Sequence, residues 1–409
     1  MKIVHLNNAD ISGGAAIAAF RIHKSLVKRE LHSRMWVNNS NSGDWTVRGP
    51  DSKWKKALAQ TRRHLVAPAL NIMRTKNKIL HSPAILPSSW SKRINQDNID
   101  IAHLHWVGAE MASISDIGSI KKPVVWTLHD MWAFCGAEHI SWDQRYVEGY
   151  SRKNRPSHER GFDINRWTFN RKLRNWKNPF QVVAVSKWLA DCAKKSVLMK
   201  DWPIAVIPNC LNTQIWSPVD KLLARQLLGL PKDIPIIAFG TYGANSEYHK
   251  GLDLLAEALQ HLRDKNKHMQ LAIFGQSEPK VPPDFGFVTN FMGHLYDDLS
   301  LRLFYSAVDV LVVPSRKEAF GQTASESMSC ATPVVAFGAT GLLDIVDHKI
   351  NGYLAKPFES EDLANGIDYV LNAPNYNNLC SNARTKVVKE FDDAIVAMKY
   401  EELYNNILK

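Results

Sequence analysis

Residues 314–333 read P-S-R-K-E-A-F-G-Q-T-A-S-E-S-M-S-C-A-T-P and hold two carboxylates, Glu318 and Glu326, eight residues apart around a Phe-Gly turn. The preceding run V-D-V-L-V-V (308–313) is short, apolar and valine-rich, which predicts a buried parallel strand ending at Pro314. Residues 322–330 have the composition of a helix leading away from the loop, and P-V-V-A-F (333–337) predicts the next strand. Ligands of open α/β sheets gather beyond the carboxyl ends of strands, and a helix start offers amide N–H groups to an anion. An anion site is therefore expected at Phe320, Gly321, Gln322 and Thr323. Glu326 lies about one helical turn further on, within reach of a hydroxyl-bearing part of the same ligand. A ligand carrying both phosphate and sugar satisfies both features.

These residues resemble the E-x7-E signature of retaining family 4 glycosyltransferases of the GT-B fold. The likeness extends, in the family's order, to S-G-G-A-A (12–16), W-T-L-H-D (126–130), V-I-P-N (206–209), H-K-G-L-D-L-L (249–255) and N-G-Y-L (351–354). The resemblance implies two Rossmann-like doubly wound α/β domains facing across a cleft. It also implies transfer of a hexose, with retention, from a nucleoside-diphosphate sugar to a glycan or polyprenyl-linked acceptor in bacterial surface-polysaccharide synthesis. Glu318 would then bind donor-sugar hydroxyls and steady charge at the anomeric carbon. Glu326 would bind ribose hydroxyls, His129 would contact the donor sugar, and the Gly13–Gly14 turn would meet the donor diphosphate. Where the family has glycine this chain has Ala319, Ala331 and Cys210; Asn212 replaces a frequent aspartate. Thr241 stands where an arginine of the diphosphate clamp is expected, leaving Lys250 or a donor from the loop up to Tyr248 and His249 to replace it.

A chain of 409 residues exceeds one ordinary core and fits two domains. We place them at 1–214 on the acceptor side and 215–388 on the nucleotide-sugar side. An amphipathic helix at 389–409, with Phe391, Ile395, Met398 and Leu403 near one face, crosses back to the first domain by family analogy. Strands are predicted at 34–38, 101–106, 123–128, 181–185 and 204–207 in the first half, and at 234–239, 270–274, 287–291, 310–313 and 333–337 in the second. Helical stretches separate most of them, which predicts two parallel sheets. The N-terminal run turns polar by His5 and no stretch has the length of a membrane span, so a cytoplasmic protein is expected. Five widely spaced cysteines with no C-x-x-C pair predict free thiols rather than a disulfide framework or zinc site.

Transfer from a nucleotide sugar needs positive charge or oriented N–H groups at the departing diphosphate. No D-x-D triplet occurs in the sequence, so no metal or other cofactor is expected. Lys250, directly before a helix, is the candidate cation. Gly13 and Gly14 follow a strand and open a helix, where backbone can approach a phosphate closely. His129 ends the strand P-V-V-W-T-L. His103 and His105 share a strand face, but H-x-H without a third ligand is not a metal site, and they read as structural.

The net charge of +11 is uneven: residues 52–78 hold eight Lys or Arg and no acid, and residues 145–177 hold ten against three acids. The first stretch has Trp54, Leu58, Leu65 and Ile72 at roughly helical spacing, interrupted at Pro68. It reads either as a helix docked on an anionic membrane surface, which would hold the protein peripherally on the inner face of the plasma membrane, or as a core-facing helix with a solvated basic face. The second mixes arginine with Trp167, Phe169 and Trp176; without a nucleic-acid motif, acidic glycan or lipid is preferred over nucleic acid as its partner. The rival readings of the whole are a nucleotide-sugar epimerase or glycogen-synthase-like enzyme, and a non-catalytic glycan- or nucleic-acid-binding protein.

Overall fold

Short β-branched runs bounded by loops form the strands of the computed structural model, which describes residues 1–240, 248–264 and 268–409. They are β1 Lys2–Ala9, β2 His32–Asn39, β3 Val47–Arg48, β4 Met73–Arg74, β5 Ile101–Leu104, β6 Val124–Leu128, β7 Arg160–Gly161, β8 Gln181–Ala184, β9 Ile204–Val206, β10 Ile236–Gly240, β11 Gln270–Phe274, β12 Thr289–Phe291, β13 Val310–Val313, β14 Val334–Phe337 and β15 Gly352–Ala355. One seven-stranded parallel sheet has the order β3-β2-β1-β5-β6-β8-β9, and one six-stranded parallel sheet has β12-β11-β10-β13-β14-β15. The expected doubly wound α/β architecture is the one observed. β4 and β7 pair as a small antiparallel ribbon that the periodicity does not announce.

The chain divides into two compact units, Met1–Asn209 with Val396–Lys409, and Cys210–Ile395. The division falls slightly before residue 214 because the segment after Asn209 is held within the second unit. The Leu211 N–H donates to Phe391 O at 3.0 Å, and the Asp393 N–H donates back to Leu211 O at 3.1 Å. In that unit, Ile237, Phe239, Leu271, Ile273, Val310, Val312 and Val335 are buried beneath the helices Leu252–Asp264 and Ser360–Leu371.

The terminal helix Asp393–Leu408 buries a different face from the one its apolar pattern suggests. Val396, Tyr400 and Tyr404 are buried at intervals of four, whereas Met398 is exposed. The Tyr404 hydroxyl is 2.6 Å from His103 Nδ1 and the Tyr400 hydroxyl is 3.0 Å from Thr127 Oγ1. Tyrosines with partnered hydroxyls therefore do what the periodicity assigned to aliphatic residues.

Both basic stretches resolve into distinct roles. Residues 53–65 form a helix with no buried residue, capped by the Ser52 side chain, and Pro68 opens a second short helix, Ala67–Asn71. The core-facing alternative is thus overturned: Trp54 is 87% exposed, and Leu58, Leu65 and Ile72 are exposed too. Residues 145–177, by contrast, send two of their ten cations, Arg145 and Lys172, into the interior. Arg145 is buried with its guanidinium 2.6 Å from Asp163. Lys172 is buried and donates to the carbonyls of Trp132, Cys135 and Gly136. Phe169 and Trp176 are core residues, whereas Trp167 is half-buried and Phe162 is exposed. Among the described residues no helix is long and apolar enough to cross a membrane, and all five cysteines are free thiols.

Candidate functional site

In the second unit the loop after β13 is shaped by two glycines. Gly251 has φ +72°, and a Cβ there would lie 1.9 Å from the Pro314 carbonyl oxygen, so only glycine lets the 248–251 turn rest against the end of β13. The Arg316 N–H donates to the His249 carbonyl at 2.7 Å across the same contact. This docking brings Lys250 Nζ to 2.8 Å from Glu318 Oε2. Gly321, with φ +111°, precedes the helix Gln322–Ser329, and a Cβ there would meet Leu342 Cδ2 at 2.8 Å. No side chain caps that helix. Its first-turn amides, at Gln322 and Thr323, face out of the turn with the partial positive charge of a helix start. The Glu318 backbone is held on both sides, its N–H by Thr340 Oγ1 at 3.2 Å and its carbonyl by the Gly341 N–H at 2.9 Å.

Glu326 lies one turn into the helix, 6% exposed, with the Tyr305 hydroxyl 3.2 Å from its Oε2. Phe320 is buried edge-on against Phe391; it anchors the turn, and its backbone rather than its ring is available to a ligand. Thr241 lies outside the described residues. The nearby arginine that sequence reasoning missed is Arg316, but its two guanidinium nitrogens reach Asp253 at 2.7 and 2.6 Å. Lys250 is a cation in direct contact with Glu318.

The first unit holds the other candidates. Gly13, at φ +92° and with open space where a Cβ would be, starts the helix Gly14–Lys28. Both glycines line a cavity of about 250 Å³ with Asn7, Asn8 and Trp106. His129 follows β6 and belongs to a histidine chain. The register of β1 on β5 sets His5 beside His103, and the two-residue strand period puts His105 on the same face. His5 Nδ1 is 2.8 Å from His105 Nε2, and His105 Nδ1 is 3.1 Å from His129 Nε2. The third histidine that the sequence lacked as a metal ligand is therefore His5, and the three rings cluster. Both nitrogens of His103, however, already meet hydroxyls, of Tyr404 and Thr127.

Burial holds His5, His103 and His105 far below the usual imidazole range and His129 at about 4, so the chain is neutral. His5 Nε2 is buried with no partner. An unsatisfied lone pair costs less than an unsatisfied N–H, so His5 donates to His105, His105 donates to His129 Nε2, and the His129 proton sits on Nδ1. A second network holds Asp130: its carboxylate accepts from Trp106 Nε1 at 2.7 Å and from His139 Nδ1 at 2.6 Å, and Ser82 Oγ lies 2.7 Å from His139 Nε2. These bonds keep the Asp130 carboxyl below its ordinary range despite burial.

The chain folds into two parallel-sheet units, and the second holds a glutamate pair on a glycine turn after β13 with a lysine docked on it. Comparison with known proteins places the chain in a family. Residues 12–215 match the family model described as Glycosyltransferase Family 4, and residues 239–387 match Glycosyl transferases group 1. The chain belongs to this glycosyltransferase family, with the GT-B fold. It is 27% identical over 236 residues to an uncharacterized glycosyltransferase of Methanocaldococcus jannaschii, covering 55% of this chain and 59% of the relative. The match thus spans little more than half the length of that relative. Over 370 residues it is 23% identical to the capsular polysaccharide biosynthesis glycosyltransferase CapM of Staphylococcus aureus, covering 84% of this chain and 94% of that one. Among solved structures, an Anabaena protein in complex with UDP-glucose superposes with a TM-score of 0.64 at 18% identity, over 99% of this chain and all of that one.

Proposed function

We propose that this chain is a retaining, metal-independent glycosyltransferase that moves a hexose from a nucleoside-diphosphate sugar to a glycan or lipid-linked acceptor in surface-polysaccharide synthesis. The observation that carries the reading is the Lys250–Glu318 contact beside the uncapped helix start at Gly321, with Glu326 on the same helix. Lys250 and the amides of Gly321, Gln322 and Thr323 take up the charge of the departing diphosphate, and Glu318 holds the sugar and steadies its developing positive charge. Glu326 binds the ribose hydroxyls. Within the first unit, His129, donating through Nδ1–H, and the Gly13–Gly14 turn are the groups suited to meet a sugar or phosphate. The UDP-glucose bound by the Anabaena protein supports a nucleoside-diphosphate donor, and the naming of CapM supports a surface-glycan product.

The helix Lys53–Leu65 supports a peripheral seat on an anionic membrane. Trp54, Leu58 and Leu65 form an exposed apolar stripe on a helix without a single acid.

Product analysis tests the reading. Incubation with a panel of nucleotide sugars and lipid-linked acceptors in EDTA should give a glycosidic bond with the anomeric configuration of the donor. Inversion, epimerisation without transfer, or loss of turnover that magnesium or manganese restores would each overturn it.

A further inference from the structure

A cavity of about 820 Å³ in the first unit lies beyond the carboxyl ends of β1 and β2. Asn8, Asn39 and Trp106 line its sheet side, and Lys56, Gln60 and Arg63 line the opposite wall. Those three residues are spaced four and three apart, so they share one face of the helix Lys53–Leu65, opposite its apolar stripe.

Trp106 is fixed before any ligand arrives. Its backbone N–H donates to Asn7 Oδ1 at 2.7 Å, its indole N–H donates to Asp130, and its carbonyl accepts from the Asn8 N–H at 3.0 Å. A preset aromatic face flanked by asparagine amides suits a sugar ring, and its prior ordering lowers the entropic cost of binding. His81 also borders the cavity. Its Nδ1 donates to Ile79 O at 2.7 Å and its pKa is depressed to about 4, so Nε2 is a lone pair; that atom is buried and has no partner.

The charges are unbalanced. Glu110 also lines the cavity, but its carboxylate accepts from the N–H groups of Ala84, Ile85 and Leu86 at 2.7, 2.7 and 2.9 Å. Among the described residues no carboxylate pairs with Lys56 or Arg63; Arg63 Nε meets only His64 Nε2, at 3.3 Å. Lys56 and Arg63 are exposed and hydrated without a ligand, so they set a positive potential at the cavity that favours a ligand carrying negative charge.

We infer that this cavity binds an anionic saccharide, a sugar carrying a phosphate or carboxylate, with Trp106 against the ring and Lys56 and Arg63 on the charge. The inference deepens the glycosyltransferase reading by naming the class of its acceptor, and rests on that reading only for the word acceptor.

Ligand-observed NMR titrations of the full chain with glucose, glucose 6-phosphate and glucuronate, carried to millimolar probe, test it. At least one charged probe should bind about tenfold or more tightly than glucose, the scale of a charge-assisted hydrogen bond. Comparison of the phosphate and carboxylate probes identifies the source of the charge. The advantage should vanish in Lys56→Gln/Arg63→Gln, both exposed positions whose change leaves the fold intact, and persist in Lys250→Gln. Trp106→Ala should weaken every probe. Charged probes that bind no better than glucose, or an advantage that survives the double substitution, overturn the proposal; loss in Lys250→Gln instead would move the anion site to the second unit. The assay reads binding without turnover, so the expected pattern in a protein lacking transferase activity would sink the catalytic reading and leave this one standing.

Discussion

Replacing Lys250 by Met separates a structural ion pair from a ligand site. Its ammonium is 2.8 Å from Glu318, with the two side chains 33% and 19% exposed. A pair this open to solvent contributes about 0–1 kcal/mol to folding, so the melting midpoint should move little. The donor diphosphate loses a charged hydrogen bond worth about 1.5–3 kcal/mol, and it also meets Glu318 without its counter-charge. Affinity for the nucleoside diphosphate should therefore fall about ten- to hundredfold. Calorimetric titration and thermal unfolding of the same preparation read the two effects side by side. Unchanged affinity with a lowered midpoint would make the pair structural and refute its role at the diphosphate.

Three further outcomes follow from other parts of the molecule. Trp54→Ser with Leu58→Ser should release the protein from anionic vesicles, and Lys53→Gln with Lys55→Gln should weaken attachment by about 1 kcal/mol per charge; equal cosedimentation with the parent removes the membrane seat. Arg62 is spared from that set because it holds the Glu110 and Leu86 carbonyls. Ala331, where the family has glycine, sits at φ +61°, so Ala331→Gly should raise stability by about 1 kcal/mol, and a lowered midpoint would contradict the strain. Burial holds His23, His81 and His129 at about 4 from an ordinary 6.5. The unfolded chain therefore binds more protons between those values, and stability should be full above about pH 6.5 and fall by several kcal/mol toward about pH 4. A urea midpoint that stays constant across that window would show the rings are not buried neutral.

What the sequence revealed was local. Valine runs, the Phe-Gly turn and the eight-residue glutamate spacing all lie within 20 residues, and strand, turn and helix follow from period and turn chemistry alone. The contacts that make the site are long-range. Lys250 meets Glu318 because Gly251 packs on Pro314, which no periodicity shows. His5 stands beside His103 through a parallel register spanning 98 residues, so H-x-H looked incomplete. Arg145 and Lys172 read as surface charge because the carboxylate and carbonyls that bury them are set by loop geometry. Tyr400 and Tyr404 were passed over because their hydroxyl partners lie on strands far away in the chain.

The central claim, a nucleoside-diphosphate sugar held by the turn after β13, meets its most direct test in thermal stabilisation by a panel of nucleotide sugars. Glu326→Gln preserves side-chain shape and an acceptor for the Tyr305 hydroxyl, so it should fold like the parent. One nucleotide class should raise the parent's midpoint, growing with the logarithm of ligand concentration above Kd, because it binds only the folded state, and the rise should shrink or vanish in Glu326→Gln. A panel that leaves the parent unmoved, or moves the folded Glu326→Gln equally, would contradict the account.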